Sequence, residues 1–338
     1  MPALDGRRAC VVTIDPARRL ANALGVDTLA NDPVRLAGDW PGELWAVVLD
    51  PKGTFDDLVR RYAASDQQAE SILANRIYRN LTGALSGTQE YMAMEKLHQL
   101  TSSGDYDLVV VDTPPTRNAM DFLDAPRRLT RFLGHRLFQL LLMPTRAYLK
   151  AVSVASQALL RTIAKVAGSE VVDDAVAFFQ AFEGMEEGFR QRAEEMQQVL
   201  ADPSTAFVVV TAPRTDAVGE ADWFAERLGD SGYRVDALVV NRVQPPYPYA
   251  GSLPDAEPGT PLRALVDNLL DLQERRRLEE AALAPLIRAL PGVPTVMVPV
   301  LDTDVHDLPG LQAVAAALRG AGAPAGGAGP AGGGTLHA

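Results

Sequence analysis

Six short runs of β-branched and other apolar residues constrain this chain more than any other feature of it. They are Ala9–Ile14 (ACVVTI), Leu44–Leu49 (LWAVVL), Leu108–Val111 (LVVV), Ala206–Val210 (AFVVV), Ala237–Val240 (ALVV) and Thr295–Val298 (TVMV). None shows the polar alternation of a strand with one wet face, so each reads as a strand covered on both sides. Segments of helical length separate them: Phe55–Ala63, Gln67–Tyr78, Gln89–Leu100, Asp174–Leu200, Ala217–Leu228, Pro261–Leu290 and Leu311–Leu318. Strands alternating with helices predict an α/β fold, a mostly parallel sheet with helices on both faces. The stretch 127–200 holds no good strand and reads as a helical insertion subdomain. Residues Gln244–Thr260, rich in Pro, Gly and Tyr, read as a loop. The tail 320–338, mostly Gly, Ala and Pro, cannot offset its ordering entropy and is expected to be disordered.

Composition removes several function classes. The net charge is −11 and the sequence pI is near 4.9, which lacks the basic footprint of a nucleic-acid binder. One cysteine, Cys10, excludes an internal disulfide framework and a cysteine-cluster metal site within one chain. The four histidines, His98, His135, His306 and His337, show no metal-ligand spacing. The first residues, MPALDGRRAC, contain no apolar core of a signal peptide, so a cytoplasmic location is expected. The most apolar region, Leu137–Leu160, carries Pro144, Arg146 and Lys150 and is too interrupted to span a bilayer. It predicts two buried or amphipathic helices broken near Pro144.

In doubly wound folds ligands bind at the carboxyl ends of the strands, so the residues just after each run matter most. Leu108–Val111 runs into Asp112, then Thr113 and two prolines. A carboxylate there can hold Mg²⁺ through water beside a triphosphate, or it can cap the following turn. The first run leads into Asp15–Pro16, either an N-cap with Pro in the first turn or a carboxylate that orients an attacking water. Ala237–Val240 ends at Asn241, whose amide can form a turn or present the donor and acceptor pair that reads an adenine edge. Arg18 and Arg19 fit a solvated helix face better than a phosphate contact, and Cys10 reads as a small buried hydrophobe.

Taken in order, these segments resemble one family. TIDPARRLANALG is similar to the first switch of the ArsA-like ATPases, the arsenite-pump and tail-anchored-protein-targeting ATPases. VVDTPPTRNAMDFL resembles their second switch, AFVVVTAPRTDAVGEADWFAERL the strand–loop–helix after the helical insertion, ALVVNRV the adenine loop, and VPVLDTDVHDLPGL a late segment. The resemblance runs from about Cys10 to Leu318. It implies one P-loop NTPase-type domain over 1–319, ATP and Mg²⁺ as cofactors, and a homodimer. By the same resemblance Asp15 positions hydrolytic water, and Asp112 lies near Mg²⁺. Asn241 reads adenine, and Thr113, Pro299 and Leu301 contact nucleotide. Arg214 falls where targeting members carry a Glu that touches nucleotide, and the reversed charge stops that role from carrying over.

No G-x-x-x-x-G-K-[ST] motif occurs in the chain. That loop supplies the backbone N–H groups and the Lys that hold phosphate. In the family its strand lies beside the strand of the second switch. Its absence would leave two unpaired, apolar sheet edges. A start codon assigned too far downstream is one explanation, since MPALDGRR reads as the end of a helix and a turn; a degenerate or paired fragment is the other. Three functions follow: an ATPase, a nucleotide-independent regulator or scaffold on the same fold, and a targeting chaperone whose Leu137–Leu160 helices hold a hydrophobic client helix or meet a membrane-associated partner. A Cys-x-x-Cys zinc site and clustered metalloid-binding cysteines are both absent from the sequence.

Overall fold

The structure, a computed structural model, describes residues 5–14, 31–76, 78, 88–113, 116–133, 174, 178, 181, 184–249 and 252–320. Asp15, the Leu137–Leu160 segment and all of the tail beyond Gly320 lie outside them. The chain divides into two compact units, Met1–Thr205 and Ala206–Ala338.

In the first unit three parallel strands and one antiparallel strand form a sheet. The strands are β1 (Arg8–Thr13), β2 (Val34–Leu36), β3 (Glu43–Val48) and β4 (Leu108–Asp112), in the order β2-β3-β1-β4. β1 pairs in parallel with β3 (Cys10 opposite Trp45) and with β4 (Cys10 opposite Val109). The short strand β2, absent from the sequence expectation, runs antiparallel to β3 at the edge. Its three residues give no periodicity to read. Helices α1 (Pro51–Tyr62), α2 (Asp66–Ala74) and α3 (Thr88–Ser102) connect β3 to β4. After β4 come α4 (Thr116–Leu133) and α5 (Glu186–Ala201). The parallel crossover from β3 to β4 explains why these strands carry apolar residues on both faces.

Helix starts follow from local chemistry. Asp50 caps α1 by accepting from the Lys52 backbone N–H at 3.1 Å, with Pro51 in the first turn. Ser65 accepts from Gln68 N–H at 3.2 Å, and the Gln68 side chain accepts from Ala64 N–H at 2.6 Å, so α2 opens on a reciprocal cap.

Cys10, Val12 and Val47 form a core layer with Leu100 of α3, flanked by Trp45, Tyr106 and Val109. The expected burial of Cys10 is complete, and desolvation raises its thiol to about 11. Phe189 of α5 is ringed by Phe55, Tyr62 and Tyr91. Beside these rings Glu95 of α3, fully buried, is held by Arg192 of α5 through two hydrogen bonds of 2.9 and 3.0 Å. Arg192 also donates to Glu195 at 3.1 Å, and His98 Nε2 lies 3.3 Å from Glu195. Within 127–200 the described residues are helix, with a turn at Gly184 and Met185; residues 134–173, 175–177, 179–180 and 182–183 lie outside them.

The second unit is a parallel sheet of β5 (Phe207–Thr211), β6 (Val235–Val243) and β7 (Thr295–Pro299) in that order. Helix α6 (Thr215–Asp230) joins β5 to β6, α7 (Pro261–Ala289) joins β6 to β7, and α8 (Leu308–Gly320) follows. α6 closes on Gly232, at φ 85°, with Tyr233 N–H returning to Leu228 C=O at 2.9 Å. All six strands read from sequence are present, with no end moved by more than three residues.

Among the described residues β4 pairs only with β1, and β5 only with β6. Both strands expose valine: Val110 is 41% accessible, Val208 51% and Val210 62%. In the register of β5 on β6, Val209 and Thr211 face one side and are buried, while Val208 and Val210 share the other. These are the features expected of sheet edges that await a strand or a covering layer.

Two outcomes follow for stability. Arg192→Leu removes the two charged hydrogen bonds that hold the buried Glu95 carboxylate, leaving it the Gln99 amide at 2.9 Å and Arg61 at 3.9 Å, and is expected to cost about 3 kcal/mol in chemical denaturation. Burial, then the Arg192 charge, holds the His98 pKa below its ordinary value. The folded form therefore resists the proton more than the unfolded chain does. The stability from neutral His98 is complete above the unfolded pKa of about 6.5 and is lost as pH falls below it. Denaturation midpoints between pH 8 and 5.5 should fall less steeply in His98→Gln than in the unsubstituted protein.

Candidate functional site

β1 and β4 end side by side, and their last residues are joined through side chains. The buried Thr13 hydroxyl donates to Asp112 Oδ2 at 3.0 Å, and Ile14 N–H donates to the Asp112 carbonyl at 3.4 Å. Asp112 is the final residue of β4 and Thr113 follows it, both exposed. Thr13 fixes one oxygen of the carboxylate, and the other takes no hydrogen bond from the described residues. Asp112 thus presents a positioned, accessible carboxylate at the C-terminal edge of a parallel sheet. Carboxylate and hydroxyl oxygens are hard donors, and Mg²⁺ takes one or two of them while keeping waters, so Asp112 and Thr113 fit that ion. Among the described residues no group of three or more His, Cys, Asp or Glu forms a dedicated metal cage.

Gln89 in the first turn of α3 brings that helix to the same edge, its Nε2 donating to Ile14 C=O at 3.3 Å. Next to it Glu90 has a buried carboxylate oxygen, Oε2, with no hydrogen-bond partner among the described residues. An acidic residue opening a helix is ordinary in sequence, so nothing there marks Glu90 out. Its unsatisfied burial is visible only in three dimensions. β1 stops two residues before Asp15, which lies outside the described residues.

In the second unit Asn241 does not follow the strand as the sequence reading had it. It lies within β6, two residues before the end, in a bulge where Asn241 and Arg242 face Val298 alone. Arg242 takes φ 63°, the left-handed region that costs a side-chain-bearing residue about 1–2 kcal/mol. The ladder resumes with Val243 opposite Pro299, and Val300 N–H donates to Val243 C=O at 2.9 Å. The bulge leaves the Asn241 side chain exposed at the C-terminal edge. Pro299 ends β7 on that edge and Leu301 follows, half-buried. Three of the residues selected from sequence are therefore brought together within this unit, and Asp112 with Thr113 within the other.

A cleft of about 670 Å³ opens beside the ends of β5 and β6, lined by Pro213, Arg214, Gln244, Arg275, Leu278 and Glu279 among others. Arg214 precedes α6 and is bound to Asp216 at 2.9 and 3.2 Å. That pairing satisfies its charge locally.

Both units thus have parallel strands whose carboxyl ends carry the polar residues, the arrangement of nucleotide-binding α/β proteins. Residues 3–250 match the anion-transporting ATPase (ArsA) family, and the chain belongs to that family. It is 23% identical over 315 residues to an ATPase ASNA1 homolog of Trypanosoma cruzi, covering 90% of this chain and 78% of the relative. It is 26% identical over 261 residues to ATPase ARSA1 of Chlamydomonas reinhardtii, covering 71% and 31%. With ATPase GET3 of Malassezia globosa it shares 25% identity over 247 residues, covering 72% and 65%. The chain thus spans less than two thirds of the length of the last two. No described helix is long and apolar enough to cross a membrane.

Glu90→Gln removes the charge from a carboxyl with an unpartnered buried oxygen. It is expected to raise the denaturation midpoint by the equivalent of about 1 kcal/mol. A drop of that size would instead show that the carboxylate has a partner in solution.

Proposed function

We propose that this chain forms the body of a Mg²⁺-dependent ATPase that works as a homodimer, its nucleotide held along the C-terminal strand edges. The observation that carries the reading is the Thr13–Asp112 hydrogen bond, which fixes an exposed carboxylate at the end of a parallel strand in the second-switch segment. In this reading Asp112 holds Mg²⁺ through a water, and Thr13 keeps its carboxylate in one rotamer. Thr113 offers a hydroxyl beside it. Bound there, Mg²⁺ would neutralise charge developing on the transferred phosphoryl oxygens. Asn241, displayed by the β6 bulge, reads the adenine edge, with Pro299 and Leu301 packing beside the base. Asp15 orients the attacking water. Family membership supports the ATPase class; the cargo and the dimer rearrangement belong to the proposal.

The phosphate-binding loop is not among the 338 residues. The edge of β4 that no described strand pairs is where the resemblance puts the strand that leads into it, and this supports a loop contributed by a further segment. The test compares ATP turnover and nucleotide affinity of the 338-residue chain with a longer form carrying a G-x-x-x-x-G-K-[ST] segment upstream. The short form should bind ATP weakly and not hydrolyse it, and the long form should do both. In the long form Asp15→Asn should lower kcat by about 10²–10⁴-fold and leave nucleotide affinity nearly unchanged. Asn241→Ala should weaken ATP binding and reduce preference over GTP. Thr13→Val, which removes one hydrogen bond from Asp112, should raise the Mg²⁺ concentration required by about fivefold. Robust turnover by the short form would place the phosphate site elsewhere. A long form that binds no nucleotide would favour a nucleotide-independent regulator on the same fold.

A further inference from the structure

The bulge that displays Asn241 sits almost at the end of β6. Past Asn241 and Arg242 the strand has one further rung among the described residues, Val243 opposite Pro299, with Val300 N–H donating to Val243 C=O at 2.9 Å. Arg242 holds φ 63°, which is costly for a residue with a Cβ, so a strand end left to itself would relax or peel away. A single neutral rung is a small anchor against that cost. Helix α7 supplies a stronger one. Glu279 accepts from Gln244 N–H at 2.8 Å, and Arg276 donates to Gln244 C=O. Both backbone groups of the residue after the rung are thus held by charged side chains, in hydrogen bonds roughly twice as strong as neutral ones.

The grip joins a fixed post to a stiff strap. Leu283 and Leu286 of α7 are buried about one and two turns beyond Glu279, and Glu280 accepts from Arg276 Nε at 2.7 Å, which orients the guanidinium. The strap is Gln244–Pro248, QPPYP, in which every residue either is a proline or precedes one. Such residues are confined to extended or polyproline backbone. Polyproline backbone repeats every three residues, so Gln244 and Tyr247 lie on one side of the strap. α7 holds the second of them as well, Gln273 donating to Tyr247 C=O at 2.8 Å. Pinned at both positions and stiff between them, the strap transmits the hold of α7 to the bulge.

We infer that Arg276 and Glu279 are positioning residues for Asn241: by gripping Gln244 they keep the β6 bulge closed and so hold the Asn241 amide where it meets a base. The inference rests on the adenine-reading role given to Asn241 above and adds the device that fixes the direction of its amide. Glu279 also lines the cleft beside β5 and β6, whereas Arg276 does not and reaches Asn241 only through the backbone. Arg276 is therefore the residue whose substitution separates positioning from direct contact with a ligand.

Amide hydrogen exchange of the 338-residue chain tests the grip. Arg276→Ala should speed exchange at Val300, the reporter of the last rung, by about tenfold. Leu238, bonded to Pro294 C=O at 2.9 Å in the body of the sheet, should be unchanged. ATP and GTP are then titrated at millimolar concentration and followed at the backbone amides of 241–244. Arg276→Ala should lower the preference for ATP over GTP by about fivefold, to the level of Asn241→Ala. It should add nothing in the Asn241→Ala background, and Arg276→Lys, which keeps a donor, should restore most of the preference. Unchanged exchange at Val300, or equal acceleration at Leu238, overturns the grip. Faster exchange at Val300 with ATP preference intact, while Asn241→Ala abolishes it, overturns the positioning role and leaves the adenine reading standing. No preference for ATP in the unsubstituted chain overturns the adenine reading and the inference with it.

Discussion

The first unit depends on β1 being paired in parallel on both sides. A strand so placed has every backbone group committed to β3 or β4 and both faces under cover. That accounts for the sequence ACVV at its heart and for the total burial of Cys10. It also fixes where chemistry can occur. Parallel neighbours end at the same level, so Thr13 and Asp112 meet at one edge and a hydrogen bond between them becomes possible. Shifting the β1–β4 register by one residue would separate the pair and turn the valines of β4 to the wrong faces.

The buried ion pair on the helical side of this unit serves a different purpose. Glu95 and Arg192 join α3 to α5, elements nearly one hundred residues apart in the chain. Such a pair contributes little net stability against a well-packed apolar alternative, because both charges leave water. It does exact one arrangement of the two helices, since any slip strands a charge among Tyr62, Tyr91 and Phe189. The second unit holds its long helix by a related device, with Arg276 and Glu279 gripping the backbone of Gln244 at the exit of β6.

Much of the fold was legible in the sequence because strand and helix announce themselves through apolar rhythm. The six runs became strands, and the helix-length segments between them are mostly helix where described, with breaks at Asn75 and at Gly184 and Met185. Asp112 was legible because a carboxylate after a buried run has few other places to be. Its partner Thr13 was not, since the bond joins residues 99 apart. Asn241 was legible as a polar residue late in an apolar run, but its place inside β6 was not: only the bulge and the left-handed Arg242 expose it before the strand has ended. Glu90 gave no signal at all, because an unsatisfied buried oxygen is a property of its surroundings.

By itself, then, the sequence determined the α/β alternation, the strand positions, and the order of segments that marks the ArsA family. All of these are local patterns, readable because backbone geometry repeats every two or 3.6 residues. Only the tertiary structure decided the division into two units, the antiparallel edge strand β2, the Thr13–Asp112 clamp, the Glu95–Arg192 pair, and the burial of Leu283 and Leu286 on α7. Each of these depends on contacts between residues far apart in the chain. Periodicity says that a face is apolar, and only packing says what covers it.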